Sequence, residues 1–216
     1  LLNPCSVQHA AMAPMHGPIL VGGILGVATD VLSHRYAAAA RGSQAPLEQQ
    51  ATALLLAAEA HLIEEEDVLA LESVREAKAK FKAAGLEDAV ADATRLIVHI
   101  LVYQDKRKEA DDIAREELAR IRATQARVGE AKIMLSIAEV NCERRGDKCR
   151  EESATMASQA ADMFRAAGDR LFEVIASLAG ISSQLMRQDD QRRGAAEGLR
   201  IAREACDAMG QLGHAA

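Results

Sequence analysis

The segment Phe81-Lys-Ala-Ala-Gly85 returns almost unchanged as Phe164-Arg-Ala-Ala-Gly168. Two further segments hold the same place in the chain and share its middle alanine: Ile121-Arg-Ala-Thr-Gln125 and Cys206-Asp-Ala-Met-Gly210. Similar sequence segments at regular intervals indicate an internal repeat. A glycine just after a helical segment is the residue that most often ends a helix in the left-handed conformation. The sequence therefore predicts four repeat units, each of which closes with a helix end.

Small residues give the period of the repeat. Ala58, Val98, Ala138 and Gly180 follow one another at intervals of 40, 40 and 42 residues. Each is followed in its unit by two further positions seven residues apart: Ala70 and Ala77, Ala110 and Glu117, Ala154 and Ala161, and Ala195 and Ala202. Because small side chains let two helices approach closely, this pattern predicts one helical hairpin in each unit.

The composition favours helices throughout the repeats. The chain is rich in Ala, Leu, Glu and Arg, which are good helix formers, and no proline follows Pro46. The sequence thus predicts an all-α fold. First helices are expected near residues 47–64, 86–104, 126–145 and 169–188. Second helices are expected near 67–84, 106–123, 150–167 and 191–209.

The pattern resembles the tetratricopeptide-repeat family in a longer variant of 40–42 residues. That family places one small residue in the first helix and two small residues, seven apart, in the second. Three units match all of these positions. The second unit departs at Val98 and Glu117, and the family's usual Trp, Tyr and Pro are absent from every unit, so the array is degenerate. The resemblance implies a helical-hairpin solenoid of about four pairs over residues 46–216.

The resemblance also implies a function, because such solenoids grip proteins on the side lined by their first helices. The groove-facing positions of the family fall here on Asp92, Arg95, His99, Lys132, Glu139, Cys142, Ser177 and Gln184. The other interpretation is that these are ordinary solvated or partly buried helix residues. We expect a protein–protein interaction module, such as a scaffold, adaptor or assembly factor. The alternative is a permanent accessory subunit of a larger complex, organellar membrane-associated complexes included.

Residues 1–45 differ from the repeats. They hold three of the four prolines, three of the six histidines and a Gly-rich apolar run over residues 18–29. That run is well short of the roughly 20 residues that cross a bilayer as a helix, so an irregular arm and linker are expected. Direct membrane insertion is not expected, whereas association with a membrane complex stays open. The chain begins with Leu1 rather than Met, which leaves cytoplasmic and organellar locations, with a processed N-terminus, both open.

Other classes of protein find little support. The net charge of −6 disfavours nucleic acid as a partner, since phosphate binding needs a basic surface. No phosphate loop, dinucleotide fingerprint, nucleophile elbow or metalloprotease motif is present. We therefore expect no catalytic activity, no cofactor and no metal site. Cys142 and Cys149 flank a predicted turn, where both a local disulfide and two thiols are open interpretations.

Overall fold

The computed structural model describes residues 45–142, 146–185, 195–203 and 206–207, and these residues form only helices and the turns between them. The predicted arm over residues 1–45 therefore lies, apart from Ala45, outside the described residues. Seven helices have both ends defined: α1 (Leu47–Ile63), α2 (Asp67–Ala83), α3 (Glu87–Tyr103), α4 (Arg107–Ile121), α5 (Arg127–Cys142), α6 (Asp147–Ala167) and α7 (Arg170–Leu185). Residues 195–203 and 206–207 are helical as well.

The helices pack in chain order. Each helix from α1 to α7 lies against the next one, and the first helices also pack on each other, α3 on α5 and α5 on α7. This arrangement confirms the predicted all-α solenoid of helical hairpins. Wherever the predicted and the observed end of a helix both fall on described residues, they differ by at most three residues. The largest difference is at α6, which begins at Asp147 rather than at residue 150.

Four helices end in the same way. Just past the helix end, a backbone amide donates to a carbonyl five residues earlier, at 2.8–3.0 Å, which is the Schellman arrangement. The donor and acceptor pairs are Glu66 to His61, Leu86 to Phe81, Lys106 to Leu101, and Asp169 to Phe164. The residue before each donor has a positive φ: Glu65, Gly85, Asp105 and Gly168. The sequence predicted this role for the two glycines and missed it for the two acids.

Gln125 fills the place of the missing glycine in the second unit. It adopts φ 61°, in the left-handed region, at the position that corresponds to Gly85 and Gly168. A side chain in that conformation is strained by about 1–2 kcal/mol relative to the right-handed form. The repeat therefore keeps its backbone turn even where its sequence changes.

The small residues of the first helices are all buried, as the repeat pattern predicted. A Cβ added to Gly180 would lie 3.6 Å from the Cβ of Ala157, so α7 approaches α6 to within the space of one methyl group. The second-helix positions are buried at Ala70, Ala77, Ala110 and Ala161. Ala154 and Ala202 are half-buried and Ala195 is exposed, so these three positions are less closely packed than the pattern predicted.

Glu117 shows how the second unit accommodates a large residue at a small position. Its carboxylate is buried and lies 2.8 Å from the Nζ of Lys78 and 2.6 Å from the Nη2 of Arg120. Burial alone would favour the neutral acid, but the hydrogen bonds from Arg120 and Lys78 outweigh it and hold the pKa of Glu117 below its usual value. An ion pair between α2 and α4 thus replaces the close apolar contact of the other units.

Candidate functional site

Two ion pairs join α3 to α5. The Nζ of Lys132 lies 2.7 Å from Oδ1 of Asp92, and the Nη2 of Arg95 lies 3.5 Å from Oε1 of Glu139. In each pair one residue lies on α3 and the other on α5, in successive repeat units. Four of the predicted partner-binding residues therefore come together in space as one network, which we call the brace.

Arg95 lies inside the brace. The residue is 4% exposed, and the side chain of Glu139 is 14% exposed. The Nη1 of Arg95 donates to the carbonyl oxygen of Lys132 at 2.9 Å and to Oγ of Ser136 at 3.2 Å. These contacts fix α3 against α5 from within. The prediction that Arg95 touches a partner stays a prediction, because its observed contacts are internal.

An aromatic ring from α7 lies beside both cations of the brace. The centroid of Phe172 is 5.6 Å from Cζ of Arg95 and 5.4 Å from Nζ of Lys132, within cation–π range. Phe172 also stacks on Phe164 of α6, with ring centroids 5.1 Å apart and planes inclined by 28°. The ring connects the brace to the hydrophobic core. Sequence reasoning missed it, although an aromatic residue at the start of a first helix is rare in this chain.

Two carboxyl groups at the α1 end of the same face have raised pKa values. Burial raises the pKa of Glu59 to about 7, and the negative charge of Asp92 adds to the effect. Burial also raises the pKa of Asp92, against the opposing charge of Lys132. Glu59 was missed by the sequence analysis. It stands one position after the small residue of its unit, as His99 and Glu139 do, and that shared register is the signal that would have found it.

The pKa values of His99 and Glu139 are shifted as well. Burial, and after it the positive charge of Arg95, lowers the pKa of His99, so its ring is neutral near pH 7. Burial raises the pKa of Glu139, and the cation of Arg95 offsets part of that change. Glu59, whose pKa is about 7, therefore carries only part of its negative charge at neutral pH.

We expect Glu59→Gln to flatten the dependence of stability on pH. The raised pKa of Glu59 means that the folded chain keeps a proton that the unfolded chain releases above pH 4.5. The resulting stabilisation is complete below pH 4.5 and is lost as the pH rises through about 7. Because the carboxyl is partly exposed, it amounts to about 1 kcal/mol.

Urea unfolding at pH 5 and pH 8 measures this effect. The free energy of unfolding of Glu59→Gln should fall by about 1 kcal/mol less than that of the natural chain between the two pH values. Glu116→Gln, on the exposed face of α4, is the matched control and should follow the natural chain. An equal fall in all three proteins would contradict the assignment.

Ser177 and Gln184 lie apart from the brace. Both line a cleft of about 700 Å³ between α6, α7 and the helical residues 195–203. The hydroxyl of Ser177 donates to the carbonyl oxygen of Glu173 within α7, at 2.9 Å. At the rim, Arg165 is paired with the carboxylate of Glu173 at 2.7 Å. The predicted set thus divides between two places, the brace and this cleft.

Cys142, at the end of α5, and Cys149, in the first turn of α6, are thiols and are not joined in a disulfide. Over the described residues, no three His, Cys, Asp or Glu side chains are grouped so that they could hold a metal ion. No helix in the described part of the chain combines the length and the apolar content that crossing a bilayer needs.

Exposed apolar side chains recur at one position in three of the four first helices. Ile63, Tyr103 and Leu185 each stand five residues after the small residue of their unit, and they are 57%, 62% and 58% exposed. Tyr103 follows Asp92 by eleven residues and His99 by four, so all three lie on one face of α3. The position adds apolar surface to the face that carries the brace.

The fold defines the class of protein: an all-helical solenoid of helical hairpins, in which two ion pairs join the first helices α3 and α5. No protein-family model and no curated protein sequence matches the chain.

Proposed function

We propose that the chain is a non-catalytic protein-binding module of the tetratricopeptide kind, which holds a protein partner on the face of its first helices. The observation that carries the proposal is the pair Ile63 and Tyr103, apolar side chains more than half exposed at equivalent positions of α1 and α3. Glu59 lies one turn before Ile63 on α1, and Asp92, on the face of α3 that carries Tyr103, is close enough for its charge to act on Glu59. We call the surface of these four residues the groove patch.

The chemistry of the groove patch indicates the partner. Tyrosine is enriched among the residues that dominate binding energy, because it buries a large surface at little entropic cost. The negative charge of Asp92 raises the pKa of Glu59, and a cation from a partner would offset that repulsion. The surface therefore suits a segment that combines apolar side chains with Lys or Arg.

The brace supports this function by fixing α3, which carries Asp92 and Tyr103, against α5. The carboxylate of Asp92 belongs both to the groove patch and to the ion pair with Lys132. Arg95 and Glu139 fix the same two helices beneath it. A surface whose geometry is set before binding loses less conformational entropy when the partner arrives.

The test is co-purification from a native extract of the source organism with the full chain as bait. The double variant Ile63→Asp/Tyr103→Asp places charge at both apolar positions and should lose at least 90% of the retained partner, because a charge buried against an apolar surface is costly. Ala119→Asp, on the exposed side of α4, carries the same kind of change and should retain it. Equal retention by both variants, or no protein retained by the natural chain, would contradict the proposal.

The sensitivity of binding to salt distinguishes a transient adaptor from a permanent accessory subunit. A transient adaptor with an acidic groove patch should release its partner as ionic strength rises, because exposed charges are screened. A permanent accessory subunit buries a larger and more apolar interface and should stay bound in the same wash.

A further inference from the structure

The exposed side of α7 differs from that of the other helices. Its four exposed residues are Leu171, Leu178, Ser182 and Leu185, and Leu171 and Leu178 are 40% and 52% exposed. The leucines are spaced by seven residues, so they lie on one face of the helix. Three large apolar side chains thus stand in a row on the surface.

The row extends to a coiled-coil pattern when Ile175, which is partly buried against the core, is added. Leu171, Ile175, Leu178, Ser182 and Leu185 are separated by steps of four, three, four and three residues. This is the spacing that lets one helix pack lengthwise on another, and leucine with isoleucine in these positions favours two-stranded pairing. We call these five residues the α7 seam.

The charge around the α7 seam restricts what can cover it. The charged residues of α7 are Arg170 and Glu173, which are paired at 2.7 Å, and none follows from residue 174 to residue 185. The exposed side of α4 is the opposite case, with Lys108, Glu109 and Asp112 among its exposed residues. An uncharged apolar seam complements another uncharged apolar seam. If an ordinary polar helix packed on it, the charged side chains of that helix would be buried without partners.

We propose that α7 of a second copy of this chain covers the seam, so that the protein forms a homodimer through α7. The second copy presents a surface of the same kind, without charge and with leucine at three successive heptad positions. A two-fold pair therefore buries leucine on both sides of the interface. This proposal does not depend on the groove patch, which lies on α1 and α3.

The size of the seam sets the strength of the dimer. A 16-residue helix is about 24 Å long, and a row of three leucines along it buries less than the roughly 800 Å² per partner of a stable complex. The dimer is therefore in equilibrium with the monomer at micromolar concentration and dissociates on dilution.

Sedimentation equilibrium of the full chain at rising concentration tests the proposal. The natural chain should pass from 23.1 kDa towards twice that mass. Leu178→Asp, which puts a charge at the middle of the seam, should stay at 23.1 kDa with the same helical circular dichroism. Leu56→Asp, at an exposed leucine of α1, is the matched control and should dimerise like the natural chain.

Crosslinking tests the location of the contact. In a background with Cys5, Cys142, Cys149 and Cys206 replaced by serine, Leu178→Cys should give a covalent dimer with a short bismaleimide. Leu56→Cys should stay monomeric. A natural chain that is monomeric at all concentrations would overturn the proposal and would leave residues 1–44 or another protein as the cover of the seam. A dimer that survives Leu178→Asp, or that crosslinks equally through both cysteines, would overturn it too.

Discussion

Arg95→Met is expected to lower the free energy of unfolding by about 3–5 kcal/mol, because it leaves the carboxylate of Glu139 buried without its cation. The substitution also removes the hydrogen bonds that Arg95 donates to the carbonyl oxygen of Lys132 and to the hydroxyl oxygen of Ser136. Urea unfolding followed by circular dichroism measures the loss. The exposed pair of Arg75 and Glu109, 3.9 Å apart, supplies the control: Arg75→Met should change stability by less than about 0.5 kcal/mol.

The double variant Arg95→Met/Glu139→Gln separates charge from packing. If the cost of Arg95→Met comes from a stranded carboxylate, replacing that carboxylate with a neutral amide should restore at least half of the stability. Without Arg95 the pKa of Glu139 rises further, so the single variant should also be less destabilised at pH 5 than at pH 8. A single variant as stable as the natural chain at both pH values would show that the brace does not hold α3 on α5.

Phe164→Ala is expected to cost about 3–5 kcal/mol, as large truncations in a packed core do. Phe164 is fully buried, and its ring stacks on Phe172 beside the brace. Leu47→Ala, at an exposed position in α1, should cost less than about 0.5 kcal/mol in the same urea titration. A loss below about 1 kcal/mol for Phe164→Ala would contradict the packing described for α6 and α7.

A double-mutant cycle with Phe172→Ala measures what the two rings contribute to each other. A stacked aromatic pair is worth about 0.5–1.5 kcal/mol beyond the area that each ring buries. The two truncations should therefore be non-additive by that amount. Strict additivity would place the link between core and brace elsewhere.

The repeat pattern predicted most of the fold because it records close packing. Ala58, Ala138 and Gly180 are small because a neighbouring helix lies against them, and that requirement is local to each unit. The turn glycines were predictable for the same kind of reason, since Gly85 and Gly168 need a positive φ. Glu65 adopts the same conformation without a compositional sign of it, and Asp105 with only the weak preference of aspartate for positive φ.

The candidate site was only partly predictable, because it depends on contacts between units. Register placed Asp92 and Lys132 on facing helices, and they form an ion pair. Register alone did not show that Arg95 is buried, since this depends on Ser136 and Phe172 of later helices. Ser177 and Gln184 hold the predicted register too, but the helical residues 195–203 lie beside them and enclose a separate cleft.

The central claim is that this solenoid works in association with other proteins. The most direct measurement is the native mass of the chain in a gentle extract of its source, with mass spectrometry of whatever co-migrates. The claim predicts migration well above twice 23.1 kDa with a fixed set of other proteins, and a shift to lower mass for Ile63→Asp/Tyr103→Asp. Migration of the natural chain at 23.1 kDa, or at twice that mass with no other protein, would contradict it.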